Sequence, residues 1–403
     1  MADSWNQQLF DAMVRHQIGV LRFTAGVRQR IFEILDATES DMRAQIADRL
    51  RRNIGLSLTD ANLNRTLRLI EKLRETRVEA WKDVNAVMFE ELRAYARAEP
   101  AFQVQILETI FPVELGLALP EVSRLAAIVN QGSFNGETLQ QSLNKMRDAD
   151  VRRIEQSVRM GMVQGESIPD ISRRIVGTVS LKGTDGATEI TRRNAAAITR
   201  TMVNGVGAEA RREFALANVD VAPQEIFVAT LDSRTTPICR ALDGKIYDVG
   251  TGPKLPLHYG ERSLYAPIVD GEVIGDRPVR NFTQQQLVRE YAEKNGLGKI
   301  TGADRDNLPF GHKGSFDDFA RARMRELTGV VPAKTTYTQF LRRQSAQFQN
   351  DILGPTRGKL FRSGSLELSS FVDKAGNEIP LSELAKFHAD AFTAAGLDPA
   401  EFK

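Results

Sequence analysis

The sequence predicts an α+β protein that is mainly α, and three observations carry the prediction. Apolar residues recur at helical spacing over two long N-terminal stretches. Between Glu225 and Val279 the period shortens, and Gly, Pro and Asp become frequent. From Thr283 onward the helical spacing returns. The expected architecture is a long N-terminal helical bundle or stalk, then a central helical region with a small β-rich module, then a helical, basic C-terminal region. The expected division is 1–120, 121–222, 223–282 and 283–403.

Ser4 and Gln7 make a capping-box start. Phe10, Val14, Ile18 and Leu21 then recur at helical spacing, and Val27, Ile31 and Leu35 continue the stripe. Asp60 can cap a second long helix, whose stripe includes Leu63, Leu67, Ile70, Trp81, Val84, Met88 and Tyr95, with Pro100 as a natural stop. Two such helices suit a plain bundle or a stalk that docks a partner. Residues 101–130 read as shorter helices around Pro112 and Pro120. Residues 137–175 read as helix, turn, helix, broken at Gly165-Glu166-Ser167, and Ser167 before Pro169 is a helix start. A loop at 181–187 precedes a helix from about Thr191 to Ala217.

In the central module, Ile226 to Ala229 and Lys245 to Val249 read as strands, the second following an Asp243-Gly244 turn. Val269 to Val273 reads as a hairpin connection around Asp270-Gly271. Helices are expected at 283–295, 315–327, 335–350 and 380–394, with a loop-rich stretch at 351–379.

Of the 403 residues, 42% are apolar and 26% charged, which is ordinary for a globular chain, and the net charge of +2 announces no global nucleic-acid field. The single cysteine, Cys239, excludes an internal disulfide. A secretory signal and a membrane span are not expected. These features fit a protein made in the cytoplasm and without membrane partners.

The segment from Phe227 to Ser263 is the most distinctive. It reads Phe-Val-Ala-Thr-Leu-Asp-Ser-Arg-Thr-Thr-Pro-Ile-Cys-Arg-Ala-Leu-Asp-Gly-Lys-Ile-Tyr, then, from Gly252, Gly-Pro-Lys-Leu-Pro-Leu-His-Tyr-Gly-Glu-Arg-Ser. It resembles the signature of the Mu F-like minor head, or head morphogenesis, family of tailed phages: a strand, then D-x-R-T-C-x-x-C-x-x-L-[DN]-G, then P-x-H-x-x-C-R. Gly161 to Ile175, Ala197 to Thr201, and the segments from Thr336 and Leu353 are also similar to family members. The resemblance covers about 137–375. It marks Asp232, Arg234, Thr235, Cys239, Asp243, Gly244, His258 and Arg262 as the structural signature. It implies a structural, low-copy virion protein associated with the portal and involved in head assembly, DNA packaging or DNA exit. Its expected location is the host cytoplasm during assembly and then the virion head. Expected partners are the portal protein, the major capsid or scaffolding protein, and packaged double-stranded DNA, with residues 1–120 docking the portal. The alternative is an ejected virion protein that binds DNA or acts in the host.

Family members with both cysteine pairs have zinc-like ligand spacing. In this chain Thr236 stands at the first cysteine position and Glu261 at the later one. Cys239, His258 and Glu261 are therefore weak metal candidates, and no cofactor is expected. Asp232, Arg234 and Arg262 read better as a charged network pinning a loop-heavy module than as an active site.

No catalytic residue is expected, and the chain does not read as an enzyme. Gly205-Val206-Gly207 lacks the third glycine of a dinucleotide loop, and no phosphate-binding P-loop or zinc-protease motif occurs. Glu166-Ser167 resembles a lytic-enzyme pair only weakly, and it sits where a helix should start. His16, His312 and His388 are isolated in sequence. The strongest local charge is at Arg321, Arg323, Arg325, Lys334, Arg342, Arg343, Arg357, Lys359 and Arg362, where Glu326 and Asp351 are the only acids. Tyr337, Phe340, Phe348 and Phe361 interleave with them. Such a stretch can face DNA, which carries one phosphate per ~1.7 Å of duplex axis; the alternative is pairing with acidic groups of a partner or of this chain.

Overall fold

The computed structural model describes residues 2–51, 60–111, 114–134, 136–178, 180, 183–269, 276–373 and 376–402. Two helices dominate the first quarter, α1 (Ala2–Arg51) and α2 (Asp60–Ile110). At 1.5 Å per residue, the 50 residues of α1 span about 75 Å. The helix is already formed at Ala2, so Ser4 lies within it and not at its cap.

Pro100 does not end the second helix, which runs through it to Ile110. A mid-helix proline removes one backbone hydrogen bond. Tertiary packing offsets that loss on the face around it. Glu99 is buried, with Arg211 Nη1 at 2.8 Å and His16 Nε2 at 2.7 Å, and Gln103 donates to Glu99 at 3.3 Å.

Four more helices complete the bundle: α3 (Val122–Gln131), α4 (Leu139–Val163), α5 (Ile168–Val176) and α6 (Thr188–Ala217). A two-residue hairpin, β1 (Ser133–Phe134) with β2 (Glu137–Thr138), leads into α4, where Thr138 and Gln141 form a reciprocal capping box. Ser167 caps α5 as expected, with Pro169 in its first turn.

Val27, Ile31 and Leu35 of α1 and Trp81, Val84, Met88 and Leu92 of α2 share one core with Val129, Leu143, Met202, Val203 and Val206. This part of the apolar stripe is thus covered by the chain's own helices, Ile18 and Leu67 of the stripe stay exposed, and residues 1–120 and 121–222 have a common core. Gly205 and Gly207 belong to this packing. A Cβ on Gly205 would stand 2.5 Å from Phe134, and one on Gly207 would stand 2.3 Å from the Tyr95 hydroxyl. Across the same bundle, buried Arg77 bonds Asp150 at 2.5 Å and the Leu35 carbonyl at 3.1 Å, and Trp81 donates to Asp150 at 2.9 Å.

The β-rich module follows. Strands β3 (Gln224–Val228), β4 (Ile246–Asp248) and β5 (Leu264–Ile268) form an antiparallel sheet in the order β4-β3-β5, and α7 (Pro237–Leu242) bridges β3 to β4. Phe10 and Met13 of α1 pack on Ile226, Val228, Leu264 and Ala266, which joins sheet to bundle.

The expected hairpin after Val269 is not formed by its flanking strands. Residues 270–275 lie outside the described residues, and β5 pairs with β3, whereas β6 (Asp276–Arg280) pairs with β7 (Thr328–Pro332). Strand β7 follows too short an apolar run to stand out by periodicity. Between β6 and β7 lie α8 (Gln284–Lys294) and α9 (His312–Glu326).

The C-terminal part holds α10 (Tyr337–Arg342), α11 (Ala346–Leu353), α12 (Pro355–Arg362), α13 (Leu381–Phe387) and α14 (Ala389–Ala394). Helix α12 replaces part of the expected loop at 351–379; Pro355 opens it and Leu360 and Phe361 bury against this region's core. That core also takes in Leu231 and Val279, so the C-terminal helices are fastened to the module.

Candidate functional site

The residues of the signature converge at the junction of bundle, sheet and C-terminal helices. Asp232 follows β3 in a turn. Its Oδ1 accepts the Arg234 backbone N–H at 3.0 Å and the Thr235 hydroxyl at 3.2 Å, an arrangement typical of an Asp that closes a turn. Arg262 grips the same carboxylate with both arms, at 2.6 and 2.8 Å. The Tyr337 hydroxyl donates to the Asp232 carbonyl at 2.7 Å. Burial by itself would raise the Asp232 pKa, but the Arg262 fork outweighs it and holds the carboxyl below its usual range.

Asp243 is tied still more tightly. Its oxygens accept the Ala229 N–H at 2.7 Å, the Tyr337 N–H at 2.6 Å, and both arms of Arg277 at 3.0 Å. Arg277 also donates to the Thr335 carbonyl at 3.0 Å and to the Ala229 carbonyl. One buried carboxylate thus clamps β3, β6 and the start of α10. Gly244 beside it has φ +82°, and a Cβ there would stand 2.7 Å from the Thr336 methyl. Both the backbone and the space require glycine.

The four positions with zinc-like spacing also meet. The Thr236 hydroxyl is 2.9 Å from His258 Nε2, and Cys239 Sγ is 3.3 Å from it. Cys239 Sγ lies 3.3 and 3.4 Å from the Glu261 oxygens, and His258 Nε2 is 3.2 Å from Glu261 Oε2. His258 Nδ1 donates to the Tyr259 carbonyl at 3.0 Å, which leaves Nε2 facing the cluster. Glu261 accepts the backbone N–H groups of Arg262 and Ser263, each at 2.9 Å. From α6, Thr201 accepts the Gly260 N–H at 2.9 Å and Asn204 donates to the Glu261 carbonyl.

Cys239, His258 and Glu261 offer one donor each within 4.8 Å of one another. The side chains satisfy each other: among the described residues none of their buried polar atoms lacks a hydrogen-bond partner. Burial, then the Glu261 charge, push the Cys239 thiol up to about 12, which keeps it a donor and a poor nucleophile. Thr236, Cys239, His258 and Glu261 are thus joined to one another by hydrogen bonds.

The basic C-terminal residues are arranged differently from a continuous DNA face. Arg321 pairs with Asp318, Arg323 with Glu290 and Glu326, Arg342 with Glu367, and Arg357 with Glu378. Arg362 donates to Asn350 at 2.9 Å. Arg325, Lys334, Arg343 and Lys359 have no carboxylate partner among the described residues. Tyr337, Phe340, Phe348 and Phe361 are core residues. Similarly, Glu166 is held by Arg174 at 3.1 Å, and His16 by Glu99.

Sequence reasoning missed Arg277, whose role follows only from the fold, and Arg28, Arg200 and Arg280. Those three line a cleft of about 360 Å³ beside Arg234, Arg262 and the Cys239 cluster. Nothing in the spacing of residues 28, 200 and 280 relates them.

The architecture and the site define a class: a mainly helical protein with a small β-rich module, whose signature acids and bases join its elements. Residues 152–258 match the family model of Phage Mu protein F like protein. The chain thus carries a segment similar to that family. The match runs from within α4 through Asp232, Arg234, Thr235, Cys239, Asp243, Gly244 and His258, and stops before Glu261 and Arg262. No curated protein and no solved structure matches the chain.

Proposed function

We propose that this protein is a structural minor head protein of a tailed phage, present in few copies and joined to the head at the portal, where it acts in assembly, DNA packaging or DNA exit. It is not an enzyme in this reading. The observation that carries it is the state of the signature residues within the matched segment. Asp232 and Asp243 are buried in bidentate arginine pairs, and the Cys239 thiol stays protonated. A general base or nucleophile needs a free, suitably tuned group, and these groups are committed to joining elements.

Val27, Ile31 and Leu35 of the α1 stripe are buried in the bundle core and offer no docking face, whereas Ile18 is 41% exposed. Portal association therefore rests on the family resemblance and is tested with the full-length chain. Co-expression with the portal protein should give a co-purifying complex and incorporation into heads. A chain that stays apart from the portal and is missing from purified heads would refute the proposal. Abundance in full virions and in ghosts after ejection separates a resident head protein, which is retained, from an ejected one, which is lost.

A further inference from the structure

The cleft of about 360 Å³ lies between α1, α6 and the β module, and five guanidiniums line it: Arg28, Arg200, Arg234, Arg262 and Arg280. The carboxylates that face them are few. Asp232 is shared among Arg262 at 2.6 Å, Arg280 at 3.6 Å and Arg234 at 3.7 Å. Glu261 is engaged by two backbone N–H groups and by Cys239. Arg28 and Arg200 have no carboxylate partner among the described residues; Arg28 rests over the Phe32 ring, 5.9 Å from its centroid.

The consequence is unrelieved repulsion. Burial, then Arg28 and Arg262, push the Arg200 pKa down, and burial with Arg262, Arg280 and Arg200 does the same to Arg234. Like charges gathered at one wall destabilise the fold unless something compensates them. Water screens part of this charge, since the Arg234 and Arg280 side chains are 69% and 44% exposed, and an anion from outside the chain would offset the rest, because the available carboxylates are already shared.

We infer that this cleft receives a phosphodiester strand of single-stranded DNA. Guanidiniums present forks that match phosphate oxygens. The volume suits a nucleotide-sized group, and a duplex cannot enter it. Tyr259 lines the cleft and is 56% exposed, so it offers a ring for a base to stack on. An acidic peptide would use the arginines and leave that ring idle. The inference goes beyond the head role proposed above, in which the packaged DNA is double-stranded, and it places a separate contact for a single strand at this cleft.

The test uses the full-length protein and a short fluorescein-labelled oligothymidine, read by anisotropy. Binding should weaken steeply as salt rises. The pair Arg28→Ala and Arg200→Ala should lower affinity about tenfold or more, since neither residue holds the fold together, and thermal stability should be unchanged or higher. Tyr259→Ala should cost about five- to a hundredfold. A binding curve unaffected by the double arginine variant overturns the inference, as does a duplex of equal length binding as well as the strand. Displacement of the strand by inorganic phosphate at matched ionic strength and equal phosphate concentration assigns the cleft to free phosphate and overturns the strand assignment. Loss of strand binding in arginine variants that still join the head supports the inference and leaves the head role standing. A wild-type protein that reaches the head and binds no strand refutes this inference alone.

Discussion

Replacing Asp243 with Ala should open the β-rich module, and Cys239 reports the opening. Asp243 compensates the buried charge of Arg277 and accepts the backbone N–H groups of Ala229 and Tyr337. Removing one partner of a buried ion pair costs about 3–5 kcal/mol, mainly because a charge is left unpaired. Each orphaned backbone donor adds about 1–3 kcal/mol unless water reaches it. At about 1.4 kcal/mol per decade, the ion-pair part alone raises the open population by two to nearly four orders of magnitude. Cys239 is the only thiol and is buried, and its carbonyl accepts the Asp243 N–H at 3.1 Å, so thiol labelling follows this segment directly. Labelling by a disulfide reagent under native conditions should accelerate by at least about a hundredfold. The companion variant Asp243→Leu with Arg277→Met removes both charges and should label more slowly than Asp243→Ala, because only the backbone donors remain unpaired. An Asp243→Ala rate within threefold of the wild type would refute the assignment of Asp243 as the clamp. So would a double variant that labels faster than the single one.

Three further outcomes follow from the same geometry. Thr236→Cys with Glu261→Cys should restore a C-x-x-C and H-x-x-C set and bind one zinc far more tightly than the wild type, measured by competition with a chromophoric chelator; equal affinity of the two proteins would show that the hydrogen-bonded cluster is itself a metal site. Glu99 is held down to about 2, against a desolvating burial that raises it, by Arg211 and His16. Its folded pKa lies below the unfolded value near 4.5, so its contribution is fully present above pH 4.5 and is lost as pH falls toward 2; Glu99→Gln should flatten that acid limb in a denaturation series, and an unchanged slope counts against the pairing. Gly207→Ala places a methyl 2.3 Å from the Tyr95 hydroxyl and should destabilise the bundle by about 1–3 kcal/mol, read from urea midpoints; a neutral or stabilising effect would mean the two helices separate easily.

Periodicity located most of the helices, because amphipathic spacing is a local property that survives in any fold using that face. The stop expected at Pro100 failed for a non-local reason: Glu99 and Gln103 are anchored by α6 and α1, which hold the helix together across the missing hydrogen bond. The hairpin connection expected around Asp270-Gly271 lies outside the described residues, and the strands on either side of it pair elsewhere, since strand partners are chosen by the sheet and not by the connection. The signature residues were legible as a group, and the charged network of Asp232 and Arg262 was legible with them, but the duty of Asp243 was not. The partner of Asp243 is Arg277, and the aromatic residues interleaved with the basic stretch turned inward.

What the sequence by itself determined is the mainly helical class, the position of the β-rich module and the family to which that module is similar. These depend on spacing and on short ordered motifs, which are written in order along the chain. What only the tertiary structure decided is which charges are spent and which are left over. Arg321, Arg323, Arg342 and Arg357 find carboxylates within the chain, whereas Arg28 and Arg200, distant in sequence, meet in one cleft and have no carboxylate partner among the described residues. Pairing is a matter of ångströms between elements that the sequence lists far apart, so the compensated charges and the uncompensated ones cannot be told apart until the chain is folded.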